Sequence, residues 1–285
     1  MGYDKLAAEY AIPLSPLPTA TSPGGRLAQP IQCVLFDIYG TLFISGSGDI
    51  GIAKKTVRKT EKIERLLQRF NIRKTPRDIV NELHVAIEDK HRQLRNEGIE
   101  YPEIEIDQIW KQILEIKDLE YVRRFAIEYE LIVNPVYPMP YLKKTLAFCR
   151  EQNLAMGIIS NAQFFTPLLF EWFLHASPED LGLHSELIFL SYKIRHAKPS
   201  VVLFEKAVNA ISAKGIKPAA SLYVGNDMLN DIYPAKQLGF QTALFAGDKR
   251  SLRLRTDDSR CVNLSTDLVL TDLEQLIGHI TRSKK

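Results

Sequence analysis

Ile31-Gln32-Cys33-Val34-Leu35-Phe36-Asp37-Ile38-Tyr39-Gly40-Thr41-Leu42 is a short apolar run that stops at a carboxylate and then turns. A run of this length, bounded by turn residues, reads as a strand buried on both faces. Similar runs recur at 154–159, 187–190, 222–224 and 242–245, and helical patterns fall between them at 142–150, 167–175, 201–213 and 231–238. Residues 267–280 read as one more short strand and a closing helix. Strand and helix alternating in this way predict an α/β fold, a doubly wound, mainly parallel sheet joined by right-handed crossovers.

Residues 51–134 interrupt the alternation. Ile63, Leu66, Leu67 and Phe70 fall at offsets 0, 3, 4 and 7, one face of a helix. Thr75-Pro76 reads as an N-cap followed by proline at the first helical position, and Ile106, Ile109, Trp110, Ile113 and Leu114 mark a further helix. The chain thus divides into a helical block over 51–134, an α/β core over 30–50 and 135–285, and a leader over 1–29. That leader, rich in proline and glycine, is expected to be flexible and to lie outside the fold.

Composition narrows the function classes. Lys+Arg 37 against Asp+Glu 34 gives a net charge of +3, which excludes a broad nucleic-acid footprint. The basic run from Lys54 to Arg77 reads as a solvated helix face. Cys33, Cys149 and Cys261 lie far apart without metal-ligand spacing, which suits a reducing compartment. The chain has no apolar run of the ~20 residues a membrane span needs. Its first residues lack a basic segment leading into an apolar one. A cytoplasmic protein acting on a small molecule, away from nucleic acid and membrane, is the expectation.

Four segments carry chemistry. Asp37 ends a buried strand, where open α/β sheets bind ligands, and a carboxylate there can attack phosphorus or carbon. Ser160 and Asn161 end a second strand and offer a hydroxyl and an amide to an anionic oxygen. Lys198, just ahead of a helix, is placed to neutralise charge. Asp227 and Asp231 follow another strand, and paired carboxylates beside a strand-end aspartate make an oxygen-rich Mg²⁺ site.

FDIYGTL (residues 36–42), SN (160–161), KP (198–199) and GNDMLND (225–231), in this order, resemble the four-motif signature of the haloacid dehalogenase-like hydrolases. The resemblance covers about residues 31–50 and 136–245 and implies that the helical block is an inserted cap over the strand ends. It implies Asp37 as nucleophile and Ser160 and Lys198 as ligands of the transferring group. It also implies Mg²⁺ held by Asp37, the main-chain carbonyl of Tyr39, and the acids Asp227 and Asp231.

Two positions depart from the family's phosphatases. Tyr39 stands where they carry a second aspartate as general acid and base, and the family's 2-haloacid dehalogenases carry tyrosine there. Asn226 stands where the last motif usually places its first aspartate. A dehalogenase needs no metal and has no use for uncompensated carboxylates beside its nucleophile. The expectation is therefore a Mg²⁺-dependent phosphatase acting on a small phosphorylated metabolite through an aspartyl-phosphate. The alternatives are a metal-independent 2-haloacid dehalogenase and a catalytically weak or inactive binding protein of the same fold.

Overall fold

The structure is a computed structural model that describes residue 6, residues 9–46 and residues 57–283. In chain order the elements are β1 (Gly24–Gly25), β2 (Cys33–Phe36), β3 (Phe43–Ser45), α1 (Val57–Arg69), α2 (Pro76–Asn96), α3 (Ile106–Leu114), α4 (Leu119–Val133) and β4 (Val136–Pro138). Then follow α5 (Leu142–Glu151), β5 (Ala155–Ser160), α6 (Leu168–Leu174), β6 (Leu183–Leu190), α7 (Ser191–Ile194), α8 (Val202–Ala213) and β7 (Ser221–Gly225). The chain closes with α9 (Tyr233–Gln237), β8 (Gln241–Phe245), β9 (Leu268–Leu270) and α10 (Gln275–Ser283).

Seven strands form one sheet in the order β1-β9-β8-β7-β2-β5-β6, parallel except for β1. From β2 the chain builds outward through β5 and β6, then returns to the other side of β2 for β7, β8 and β9. That reversal makes a crevice at the carboxyl ends of β2, β5 and β7. The register brings the ends together, because Phe36 pairs with both Ile158 and Val224.

Alternation sorts the strand side chains onto two faces. Val34, Phe36, Met156, Ile158, Leu222 and Val224 pack toward Leu146 and Cys149 of α5 and Leu276 and Ile280 of α10. Cys33, Leu35, Ile159 and Tyr223 pack toward Leu203, Phe204, Ala207 and Ile211 of α8. Each fully buried leucine or phenylalanine here contributes about 1.5–3 kcal/mol.

The inserted helices α1–α4 bury a cluster of their own. Trp110 meets Phe125 edge-on at 5.0 Å, and Phe70 meets the same ring at 5.3 Å. Thr75 caps α2 by accepting from the Asp78 amide at 3.2 Å. The chain leaves and rejoins the core through β3 and β4, an antiparallel pair with Ser45 opposite Val136.

The N-terminal segment is placed differently from a leader outside the fold. β1 adds antiparallel to β9, the Thr19 hydroxyl donates to Ala246 O at 2.8 Å, and Leu17 N donates to Asp248 Oδ1 at 3.2 Å. Further toward the N-terminus, Tyr10 donates to Glu128 Oε2 of α4 at 3.0 Å, and Glu9 pairs with Arg69 of α1. Prolines supply no N–H to a ladder, so before β1 the segment is held by isolated bonds to partners far away in sequence.

Candidate active site

Asp37 is the residue after β2, and its amide still donates to Val224 O at 2.9 Å. The turn that follows gathers the amides of Thr41, Leu42 and Phe43 onto Ile38 O. Gly40 takes φ +83°, and a Cβ there would lie 2.5 Å from the Ser251 Cβ and 2.8 Å from Asn226 Nδ2. Only glycine allows the turn after Asp37 to sit this close to Asn226 and Ser251.

Lys198 reaches the strand ends from the loop before α8. Its ammonium donates to Asp37 Oδ1 at 2.8 Å and to Asp231 Oδ1, with Tyr223 OH at 3.1 Å and Ile159 O at 3.4 Å. All four side chains are buried. Burial alone would lower Lys198, but Asp231 and Asp37 outweigh it and keep its pKa raised, so the ammonium stays charged. One ammonium shared by two carboxylates leaves an excess of negative charge. Burial, with the charges of Asp37 and Asp227, therefore raises Asp231 against the pull of Lys198.

Asp231 is further fixed by the Asp227 amide, which donates to its Oδ2 at 2.9 Å. Its backbone belongs to the π-helical turn Met228–Ile232. Gly225 makes room for it, since a Cβ at that position would fall 2.4 Å from the Asp231 carboxyl carbon.

The other expected residues divide into those that face this cluster and those that do not. Asn161 accepts from Lys198 N at 2.7 Å and donates to Lys198 O at 3.3 Å. Ser160 is fully buried at the end of β5, its hydroxyl 3.4 Å from Asn161 O. The Tyr39 phenol turns to Thr166 Oγ1 at 3.0 Å, and burial raises its pKa. Asp227 does not join Asp37 and Asp231. Its Oδ1 accepts from Leu229 N at 2.9 Å and Asn230 N at 3.2 Å as an N-cap, and its Oδ2 accepts from Arg255 Nη2 at 2.6 Å. Asn226 accepts from Thr41 Oγ1 at 3.1 Å and donates to Ser251 O at 2.6 Å, bracing the first motif against the last.

Tyr223 belongs to the cluster and escapes a reading by motifs. It sits mid-strand in β7, where a hydroxyl among fully buried aliphatic neighbours needs polar partners. It donates to Ile159 O at 2.9 Å and lies 3.0 Å from Asp231 Oδ1.

A metal's fit follows from these commitments. Among the described residues, no three acidic, histidine or cysteine side chains gather as a metal cage. Both oxygens of Asp231 and of Asp227 already have donors. What remains is Asp37 Oδ2, which takes no hydrogen bond from the described residues, together with the Tyr39 carbonyl and the second lone pair of the Asn226 amide oxygen. Magnesium is commonly held by one or two carboxylates plus waters and substrate oxygens. The residues fit that sparse form.

A family profile described as haloacid dehalogenase-like hydrolase matches residues 31–239, which is most of the chain. The chain belongs to that family. It is 26% identical over 258 residues to glyceraldehyde 3-phosphate phosphatase of Methanocaldococcus jannaschii, covering 90% of this chain and 99% of that protein. It is also 26% identical to the Rhythmically expressed gene 2 protein of Drosophila melanogaster, over 33% of this chain and only 34% of that one. The crystal structure of 2-haloacid dehalogenase from Pseudomonas syringae superposes with a TM-score of 0.57 at 18% identity, covering 88% of this chain and 99% of the other. As a haloacid dehalogenase-like hydrolase, the chain is a hydrolytic enzyme.

Proposed function

We propose that this hydrolase cleaves phosphoric monoesters of a small metabolite through an aspartyl-phosphate at Asp37. The observation that carries the reading is the state of that carboxylate, with Oδ1 paired to Lys198 and Oδ2 taking no hydrogen bond from the described residues at the crevice. Full-length similarity to a protein named glyceraldehyde 3-phosphate phosphatase supports it.

In this mechanism the Asp37 carboxylate attacks phosphorus, and the ester oxygen leaves with a proton from solvent. Water then cleaves the acyl-phosphate and regenerates the carboxylate. Lys198 offsets the charge of the phosphoryl oxygens, and Ser160 supplies a hydroxyl to them. Asn161 holds the lysine loop in place. Magnesium, when bound through Asp37, the Tyr39 carbonyl and the Asn226 amide oxygen, supplies the further positive charge that a phosphate dianion requires beside a carboxylate nucleophile. The helical block acts as a cap that limits bulk water around the transfer.

Tyr39 and the withdrawn Asp227 favour a second reading, a 2-haloacid dehalogenase, because a halide leaving group needs no proton and the site keeps few acids for metal. One assay separates the two. The wild-type protein is incubated with p-nitrophenyl phosphate and Mg²⁺, and with 2-chloropropionate and chelator. Nitrophenol release that disappears in a folded Asp37→Asn variant supports the phosphatase. Metal-independent chloride release without phosphatase turnover overturns it.

A further inference from the structure

We propose that Glu103, a residue of the inserted helical block, is a positioning residue that holds the loops of Lys198 and of Ser160 and Asn161 in register. The inference rests on the assignment of those residues to the anion-binding site. It adds that the site is incomplete without a carboxylate from the insertion.

Two sets of bonds carry it. The first runs along the main chain. Tyr101, Pro102 and Glu103, between α2 and α3, lie against residues 195–197, with Ala197 N donating to Tyr101 O at 2.8 Å and Glu103 N to Arg195 O at 3.1 Å. The residue after this short ladder is Lys198. The second runs through the Glu103 side chain, whose two oxygens are both used. Oε2 accepts from Ser191 Oγ at 2.7 Å, and Oε1 accepts from Ile104 N at 3.0 Å and Gln163 Nε2 at 3.3 Å. Ser191 Oγ in turn accepts from Ala162 N at 2.9 Å. Gln163 also holds the insertion directly, donating to Ile104 O at 3.0 Å and accepting from Ile106 N at 3.0 Å.

Ala162 and Gln163 directly follow Ser160 and Asn161, so Glu103 touches the base of the second motif through two routes and the approach to the third through its backbone. Asn161 then closes the loop onto Lys198. A carboxylate only accepts, and every donor around Glu103 points at it. None of these contacts reaches the reacting atoms. The role is placement, where an error of about 1 Å can lower the rate ~10²-fold.

Glutamine is the informative replacement. Its amide oxygen can take the bonds from Ile104 and Gln163. Its NH₂ group can donate to Ser191 Oγ, whose own proton then turns to Ala162 O at 3.3 Å. Alanine leaves Ser191 Oγ, Gln163 Nε2 and Ile104 N without the shared acceptor.

The test measures kcat and KM with p-nitrophenyl phosphate and the affinity for orthovanadate by calorimetry, at a temperature where circular dichroism shows each protein folded. Glu103→Ala is expected to raise the vanadate Kd and lower kcat/KM by tenfold or more each, and Glu103→Gln to stay within threefold of wild type. Values for Glu103→Ala within threefold in both assays overturn the inference. If Glu103→Ala does not fold, Gln163→Ala removes part of the same network. It is then expected to weaken vanadate measurably, and an unchanged affinity overturns the inference. Wild-type protein that binds vanadate but does not turn over fails the phosphatase reading, and the vanadate arm alone then judges Glu103. Turnover that persists unchanged in Glu103→Ala fails the positioning role alone.

Discussion

Asn161 holds Lys198 by its main chain, not its side chain. The Asn161 side-chain Oδ1 accepts from the lysine backbone amide at 2.7 Å, and its Nδ2 donates to the lysine backbone carbonyl at 3.3 Å. The ammonium is thereby aimed at Asp37 by a residue at the end of β5. Asn161→Ala should lower kcat/KM with p-nitrophenyl phosphate by roughly 10–100-fold through misplacement of the lysine. Asn161→Asp keeps the acceptor and loses the donor, so it should fall between. Steady-state kinetics of both variants checks the order.

Under the phosphatase reading, with Tyr39 in place of a second aspartate and its phenol turned to Thr166, the rate should depend steeply on leaving-group pKa. Aryl phosphates should react well and alkyl phosphates poorly. Tyr39→Asp should recover part of a ~10²–10⁴-fold general-acid contribution on alkyl esters. Rates across a series of phosphate esters provide the measurement. A flat series in the wild type would mean that another residue supplies the proton.

Removing the metal gives a third outcome. Excess chelator should stop phosphate-ester turnover, and added Mg²⁺ should restore it. Asp227, committed to its cap and to Arg255, should matter for stability instead. Asp227→Ala should lower the unfolding free energy by about 1 kcal/mol for the lost cap, while the Mg²⁺ affinity seen by calorimetry changes less than twofold. Loss of Mg²⁺ binding in that variant would place Asp227 among the ligands.

Alkali should destabilise the fold in a predictable window. Burial pushes the thiols of Cys33 and Cys149 from their ordinary 9 up to about 12. A raised pKa means that the folded state keeps protons the unfolded chain gives up. The thiols' contribution is therefore complete below pH 9 and is lost as pH climbs toward 12. The slope is roughly 1.4 kcal/mol per pH unit for each thiol while only the unfolded form ionises. Urea midpoints at pH 8 and pH 10.5 should differ accordingly, and Cys149→Ala should flatten the difference.

The core strands were legible because parallel strands covered on both faces need apolar residues at every position, as Cys33–Phe36 and Ser221–Gly225 show. β1 and the β3–β4 ribbon were not. Strands of two or three residues have no period to detect, and their partners lie far away in sequence. The proline-rich composition of residues 13–23 signals lack of a ladder, which is true, but says nothing of Asp248 or Ala246, which bond the segment from more than 220 residues downstream. In the site, the strand-end positions Asp37, Ser160, Asn161 and Asp231 stood out by their place after apolar runs. Glu103 and Tyr223 carry no local mark, since each acquires its meaning from bonds that form only in three dimensions. The pull of Arg255 on Asp227 is of the same kind.

The ribbon that joins the two parts has a further implication. Ser45 and Val136 face each other as an antiparallel pair, so their α-carbons stand about 4.5–5.5 Å apart. A two-residue hairpin turn would close that gap. The ninety residues in between are thus, for the path of the chain, a detour that starts and finishes at one doorway. Lineages can lengthen, trim or exchange such a detour without reordering a single strand of the sheet. Yet the detour also lends the lysine loop its ladder through Tyr101 and Glu103. A shortcut across the doorway would leave the sheet connected and the Lys198 loop without its outer wall.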